Sequence, residues 1–273
     1  MSLSPSRSAA KRIRKQLKKR IDSALDTSGK QRPSDTDVHE IRKALKKARA
    51  SLRLLRPGLR RADYRSENAR LREAARPLGP IRDAKVLPET VRKLARHCGK
   101  PVRALHVKLQ SQIEPVDLAH SRRLLREARA CLKRLDVRTD NWHLLGPALK
   151  DIYKRGRRAL AEAQTHGTPE AFHQWRKQAK YLRYTLATLE PLCPPLIQTM
   201  VEQAHQLTNY LGDDHDLAVL SQQPGREVSL AGSIEHFQIE LRKEALALGA
   251  RLYAEKPKVF TRRCAQYWRA WRA

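Results

Sequence analysis

The sequence predicts an all-α protein, and three observations carry the prediction. Val38 to Pro57, VHEIRKALKKARASLRLLRP, places Val38, Ile41, Leu45, Ala48, Leu52 and Leu55 at intervals of three and four, the spacing of a helix that buries one stripe. The chain has only 11 glycines in 273 residues, is rich in Ala, Leu, Arg and Lys, and lacks the Val/Ile/Thr alternation of strands. The pattern of the first half then returns in the same order in the second.

Taken in order, Ser8 to Ala24 reads as a helix that carries Lys11, Arg12, Arg14, Lys15, Lys18, Lys19 and Arg20 around Ile13, Leu17 and Ile21. Thr27 to Asp37 is a polar connection, and Asp35 to Asp37 supply capping residues for the helix that follows. Pro57-Gly58 stops that helix. Asp63 to Arg76 is helical, and Pro77, Gly79 and Pro80 interrupt it before a further helix from Ile81 to Leu87. Helices are also expected at Glu89 to His97, Lys100 to Gln112 and Leu118 to Leu135, and Asp136 to Asn141 is the first break that divides the chain. Pro224-Gly225 marks a turn, and Ser233 to Ala254 and Pro257 to Ala273 close the fold with an aromatic and basic tail, Tyr267, Trp268 and Trp271, read as a docking face.

The second stripe on Val38 to Pro57 is chemical. His39, Arg42, Lys46, Arg49 and Arg53 keep the spacing of the apolar set one residue later, which on a helix is about 100° of rotation. These cations therefore border the packed face instead of opposing it. Glu40 is the one acid between His39 and Arg56, so the row repels itself and calls for an anion. The whole chain repeats the message, with 57 Lys and Arg against 28 Asp and Glu and a formal charge of +29. Such an excess suits nucleic acid, an anionic membrane surface or an inorganic phosphate polymer. With 40% hydrophobic residues the chain is a folded protein and not a basic tail.

The repeat gives this stripe a partner. Phe172, Trp175, Ala179, Leu182, Leu186 and Leu189 reproduce the apolar stripe 134 positions later, and His173, Arg176, Lys177, Lys180 and Arg183 reproduce His39, Arg42, Lys43, Lys46 and Arg49. LGDDHDLAVL (Leu211 to Leu220) echoes LGPIRDAKVL (Leu78 to Leu87) at a shift of 133, and Ile152, Lys154, Arg157, Arg158 and Leu160 echo Ile13, Lys15, Lys18, Lys19 and Ile21 at 139. Two such units, residues 8–140 and 141–273, are expected to pack about a pseudo-two-fold axis with the His-led helices lining one groove. The row from His39 to Arg53 runs roughly 21 Å at 1.5 Å per residue, which fits an extended anion better than a compact one.

Cys98, Cys131, Cys193 and Cys264 stand far apart with no C-x-x-C pair, so reduced thiols in a cytoplasmic protein are expected. No apolar run approaches the length of a membrane span, so no membrane insertion is expected.

The paired H-x-x-R helices, the two LG-x-x-x-D-x-x-VL segments, Tyr153 to Arg158 (YKRGRR) and Ala254 to Pro257 (AEKP) together resemble the CHAD family, the conserved histidine α-helical domain. The resemblance implies two four-helix-bundle-like halves around a central basic cavity that binds inorganic polyphosphate, with association to polyphosphate granules in some relatives. It places His39, Arg42, Lys43, Lys46 and Arg49, with His173, Arg176, Lys177, Lys180 and Arg183, on ligand-facing helices, and Lys15, Lys18, Lys19, Lys154, Arg157 and Arg158 on neighbouring basic helices. This chain departs from the pattern at Lys85, where an acid is usual, and at Tyr181, which stands where the first copy has Lys47.

His39 and His173 read as phosphate contacts or as structural histidines, since neither has a second ligand at i+4. Asp213, Asp214, His215 and Asp216 suggest a metal cluster by composition, but four consecutive helical residues point in different directions, so ion pairs that position Arg or Lys fit Asp83 and Asp216 better. Gly79 and Gly212 read as close-packing or kink glycines, and the four tryptophans as core or docking aromatics. The function that follows is non-catalytic binding of inorganic polyphosphate with no cofactor. The alternatives are a metal-dependent polyphosphate hydrolase, which needs a carboxylate cluster, and a general nucleic-acid-binding protein.

Overall fold

The computed structural model describes residues 3–30, 34–99, 118–223 and 230–273, without the side chains of residues 35 and 80–85. The helix expected at Lys100 to Gln112 and the Pro224-Gly225 turn lie outside the described residues. Among those residues the fold is all-α: α1 (Ala9–Ser28), α2 (Asp35–Leu55), α3 (Arg61–Ala75), α4 (Leu78–His97), α5 (Ala119–Arg134), α6 (Asn141–His166), α7 (Pro169–Leu189), α8 (Pro194–Ser221), α9 (Leu230–Leu252) and α10 (Pro257–Arg272). No helix in the described part is long and apolar enough to cross a membrane, and the four cysteines form no disulfide.

Local chemistry sets the ends. Ser34 and Asp37 form a reciprocal capping box, the Asp37 N–H donating to Ser34 Oγ (3.2 Å) and the Ser34 N–H to Asp37 Oδ2 (2.9 Å), so α2 begins three residues before Val38. Arg56–Gly58 and Glu190–Leu192 are short 3₁₀ turns with proline at their second residue, and they end α2 and α7 in the same register. The break at 136–140 is also present. Asp140 Oδ1 accepts the N–H of Ala10 (2.7 Å) and of Asn141 (2.6 Å), so one carboxylate ties together the N-termini of α1 and α6, the two helices related by the repeat.

Two expectations are corrected. Pro80 does not interrupt a helix, because it falls in the first turn of α4, where its missing N–H has no intrahelical partner to lose. The segments expected at Ile81 to Leu87 and Glu89 to His97 are one helix, α4, which runs through Pro88. The second copy goes further: α8 is a single helix of 28 residues that covers, at the repeat offset, α3 and the first half of α4. Pro77 accounts for the difference, since the matching position in α8 is Tyr210, which keeps its N–H.

The packing is consistent with two bundle-like halves. Helix α1 packs on α2 and α5, and α3 on α2 and α5; in the second half α6, α7, α8 and α9 pack in succession, with α10 laid on α6. One core joins Ile13, Leu17 and Ile21 of α1, Ile41, Leu45 and Leu52 of α2, and Trp175, Leu182 and Leu186 of α7, all essentially inaccessible. A smaller core, Leu87, Val91 and Leu94 with Leu217, Leu220 and Ile234, fastens α4 to α8 and α9. The aromatic tail docks within the chain: Trp268 is buried, its ring 6.0 Å from that of Trp142.

Candidate functional site

Helices α2 and α7 meet, and α4 meets α8, along the seam between the halves. On α2 and α7 the apolar stripes turn into the core, Leu45, Ala48 and Leu52 on one and Trp175, Ala179 and Leu182 on the other. Because the basic residues lie one position later on both helices, the same turn brings the two cationic rows to one side of the seam.

There they line a cavity of about 590 Å³ formed by Arg42, Lys46 and Arg49 of α2, Arg72 of α3, His173, Arg176, Lys177, Lys180, Tyr181 and Tyr184 of α7, and His215 of α8. No carboxylate is among these lining residues. An adjoining hollow of about 490 Å³ shares Arg42, Lys46, Arg49 and Arg72 and continues to Glu73 and Arg76, which prolongs the cavity along α2 and α3.

The electrostatics record how closely the cations are held. Partial burial and then the charge of Arg49 across the cavity lower the Lys177 ammonium below its ordinary range. Burial, and after it His215, Lys177, Arg176 and Lys180, push His173 down to about 4, so its imidazole is neutral at pH 7. The His173 ring lies 4.3 Å from that of His215, and its Nδ1 is buried with no hydrogen-bond partner among the described residues. A buried polar atom of this kind normally has a partner. Next to the cavity, burial and then Arg20, Lys43 and Arg183 lower Lys47. Burial raises the Tyr184 phenol, against the pull of Arg183, Lys43 and Arg176.

The family profile of the CHAD domain matches residues 15–223. The chain belongs to the CHAD family. CHAD domains are helical modules associated with inorganic polyphosphate, and the matched stretch runs from α1 to the end of α8, including every residue that lines the cavity. No curated protein matches the chain.

Of the residues expected on the ligand-facing helices of a CHAD domain, Arg42, Lys46, Arg49, His173, Arg176, Lys177 and Lys180 come together in the cavity. His39 lies exposed in the first turns of α2. Lys43 pairs with Glu40 at 3.1 Å, and Arg183 sits over the ring of Tyr184. Lys15, Lys18 and Lys19 are exposed on α1, and Lys154 and Arg158 on α6. Arg157 donates through Nη1 to the Glu255 carbonyl (3.2 Å), which joins the YKRGRR and AEKP segments, while Tyr153 Oη donates to the carbonyl of Leu252 (3.2 Å) at the end of α9.

The two glycines earn their place here. A Cβ on Gly212 would stand 3.1 Å from Arg176 Nη2, and one on Gly79 would stand 4.0 Å from Arg42 Nη1. Arg42 and Arg176 are repeat equivalents, as are Gly79 and Gly212, so each arginine lies over the equivalent glycine of its own half, on α4 in the first and on α8 in the second.

The acidic run on α8 diverges as helix geometry requires. Asp213 pairs with Lys93 of α4 (2.6 Å), Asp214 with Arg242 of α9 (2.7 Å), and His215 faces His173. Burial raises the Asp214 carboxyl, opposed by Arg242 and Gln238. The pairing expected for Asp83 lies outside the described side chains. Tyr181, which removes a charge from the second stripe, supplies a ring to the first: the Arg53 guanidinium lies 3.9 Å and that of Arg49 5.9 Å from its centroid. Arg72 and His215 join the cavity from α3 and α8; neither belongs to a basic stripe, and only the packing reveals them.

Proposed function

We propose that this CHAD chain binds inorganic polyphosphate without processing it, and that its two halves, residues 8–140 and 141–273, each supply one wall. The observation that carries the reading is the cavity: Arg and Lys side chains from α2, α3 and α7 converge on one volume whose lining includes no carboxylate. Arg offers a fork of donors to neighbouring phosphate oxygens and Lys a point charge, so a chain of phosphates neutralises the array link by link. The outer cations Lys43 and Arg183, and those on α1 and α6, are proposed to guide the ends of a longer chain toward the cavity. Docking to polyphosphate granules is the proposed setting.

Two observations favour binding of polyphosphate over the alternatives. Phosphoanhydride hydrolysis needs gathered carboxylates for a divalent metal, whereas Asp213 and Asp214 reach toward different helices and pair with Lys93 and Arg242. Single-stranded nucleic acid needs open aromatic faces interleaved with its cations, whereas Tyr181 already carries Arg53 over its ring.

Competition binding tests the proposal. Long-chain polyphosphate is expected to displace labelled RNA of equal charge at moderate salt, and replacement of Arg42, Lys46, Arg176 and Lys180 by Ala is expected to abolish the advantage in a folded protein. Equal affinities for the two polyanions, or an unchanged affinity in the quadruple variant, would sink it.

A further inference from the structure

A second cluster of functional side chains stands apart from the basic cavity, where the end of α4 meets α9. His97 occupies the last turn of α4, and His236 and Glu240 lie one turn apart on α9, so one helix presents two donors to the same side and the other presents the third. Glu240 reaches both imidazoles, with Oε1 3.3 Å from His236 Nε2 and Oε2 3.7 Å from His97 Nδ1. One donor atom from each residue lies within 4.8 Å of the other two, the single grouping of this kind among the described residues. Phe237 holds the His97 ring by stacking on its face at 4.1 Å with the planes 9° apart.

We propose that His97, His236 and Glu240 bind a divalent first-row transition ion, with Zn²⁺ the best match. Two imidazole nitrogens and one carboxylate oxygen form a borderline donor set that suits zinc and excludes the all-oxygen preference of Mg²⁺ and Ca²⁺. Zinc bonds of about 2.0–2.2 Å set tetrahedral donors about 3.4 Å apart. His236 and Glu240 are exposed, at 68% and 52%, and rotation of these two side chains closes the remaining distance onto the fixed His97. Three protein ligands leave the fourth position to water or to a small anion.

The ion would act as a staple. It joins α4 to α9 beside the smaller core of Leu94, Leu220 and Ile234, and so fastens the helix whose other end carries Gly79 under Arg42. His97 lies 18 residues along α4 from Gly79, about 27 Å at 1.5 Å per residue, so the site is distinct from the basic cavity and the proposal does not rest on what that cavity binds.

The experiment uses the untagged chain, stripped with chelator and titrated with Co²⁺ as a coloured stand-in for Zn²⁺. One equivalent is expected to give the visible ligand-field bands of a four-coordinate nitrogen and oxygen site, and Zn²⁺ is expected to displace it and raise the melting temperature. His236→Ala and Glu240→Gln replace exposed residues, so both should keep the helical circular dichroism while affinity falls about a hundredfold, the upper end of what loss of even an outer-shell partner costs. His143→Ala, at an exposed position on α6, should bind as the parent does. Uptake that survives in both site variants, or no saturable uptake by the parent, overturns the assignment.

Discussion

At Gly212 a missing methyl group decides where an arginine lies. The 3.1 Å left between a Cβ at this position and Arg176 Nη2 is tighter than ordinary contact, yet the obstructing atom is the end of a flexible side chain. Gly212→Ala should therefore leave stability level or improved, since Ala is favoured over Gly by about 1 kcal/mol inside a helix, while polyphosphate affinity falls as Arg176 is displaced. Gly79→Ala meets Arg42 only at 4.0 Å and should change affinity less. Binding isotherms with melting curves for both variants separate these effects; equal losses would show that the guanidinium position is not the cause. His173 makes the second residue-scale prediction. Its folded pKa of about 4 lies below the ordinary 6.5, so the free protein loses stability as pH falls from about 6.5 toward about 4, where the unfolded chain takes up the proton more readily. Arg42, Lys46, Arg49 and Arg72 from α2 and α3 surround the same volume as His215, Arg176, Lys177 and Lys180, so no described residue that lines the cavity favours the imidazolium. A polyanion reverses that balance, so binding should strengthen and take up a proton as pH falls. Comparison of the parent with His173→Gln at pH 8 and pH 5 measures it, and identical pH dependence in the two refutes the role.

Among the elements, Asp140 shows how one side chain holds two helices in place. Burial alone would raise its carboxyl, but the hydrogen bond of the Ser8 side chain and those of the Ala10 and Asn141 N–H groups, at the starts of α1 and α6, bring it below the ordinary range. Asp140→Ala should cost about 1–2 kcal/mol, the worth of an N-cap, and the contribution should be present above the ordinary carboxyl pKa and fade as pH falls through the depressed one. Urea titrations at pH 7 and pH 3 check both statements. The elements also show what sequence reading reaches. Helices α2 and α7 were legible because each carries a complete apolar stripe with a cationic row at a fixed rotation, and part of each row, Arg42, Lys46 and Arg49 with His173, Arg176 and Lys180, lines one cavity. The continuity of α8 against the break between α3 and α4 was not, because it turns on the single exchange of Pro77 for Tyr210. Arg72 and His215 were missed because α3 and α8 reach the cavity only through tertiary packing. Tyr181 was read as a lost charge because a ring gives no sign in sequence of which arginines it will support.

For the whole molecule, a charge of +29 describes solubility and attraction but not where a polyanion sits. The fold concentrates seven cations, Arg42, Lys46, Arg49, Arg72, Arg176, Lys177 and Lys180, on one cavity, while others, such as Lys15, Lys18, Lys19, Lys154 and Arg158, lie on exposed helix faces. The two populations differ in their response to salt. Exposed cations beyond a Debye length of about 8–10 Å are screened at physiological ionic strength, whereas a chain threaded between α2 and α7 must shed its condensed counterions to enter. With the single-strand value of about 0.7 ion released per neutralised phosphate, seven contacts give a slope of about −5 for log affinity against log salt, and loss of four of them in the quadruple Ala variant reduces it to about −2. A diffuse association with the whole basic surface would shift affinity only slightly in that variant, because four residues are a small part of 57 Lys and Arg. The change in slope between the two proteins, measured by titration across a tenfold range of salt, therefore distinguishes a polyphosphate chain held in the cavity from one smeared over the surface.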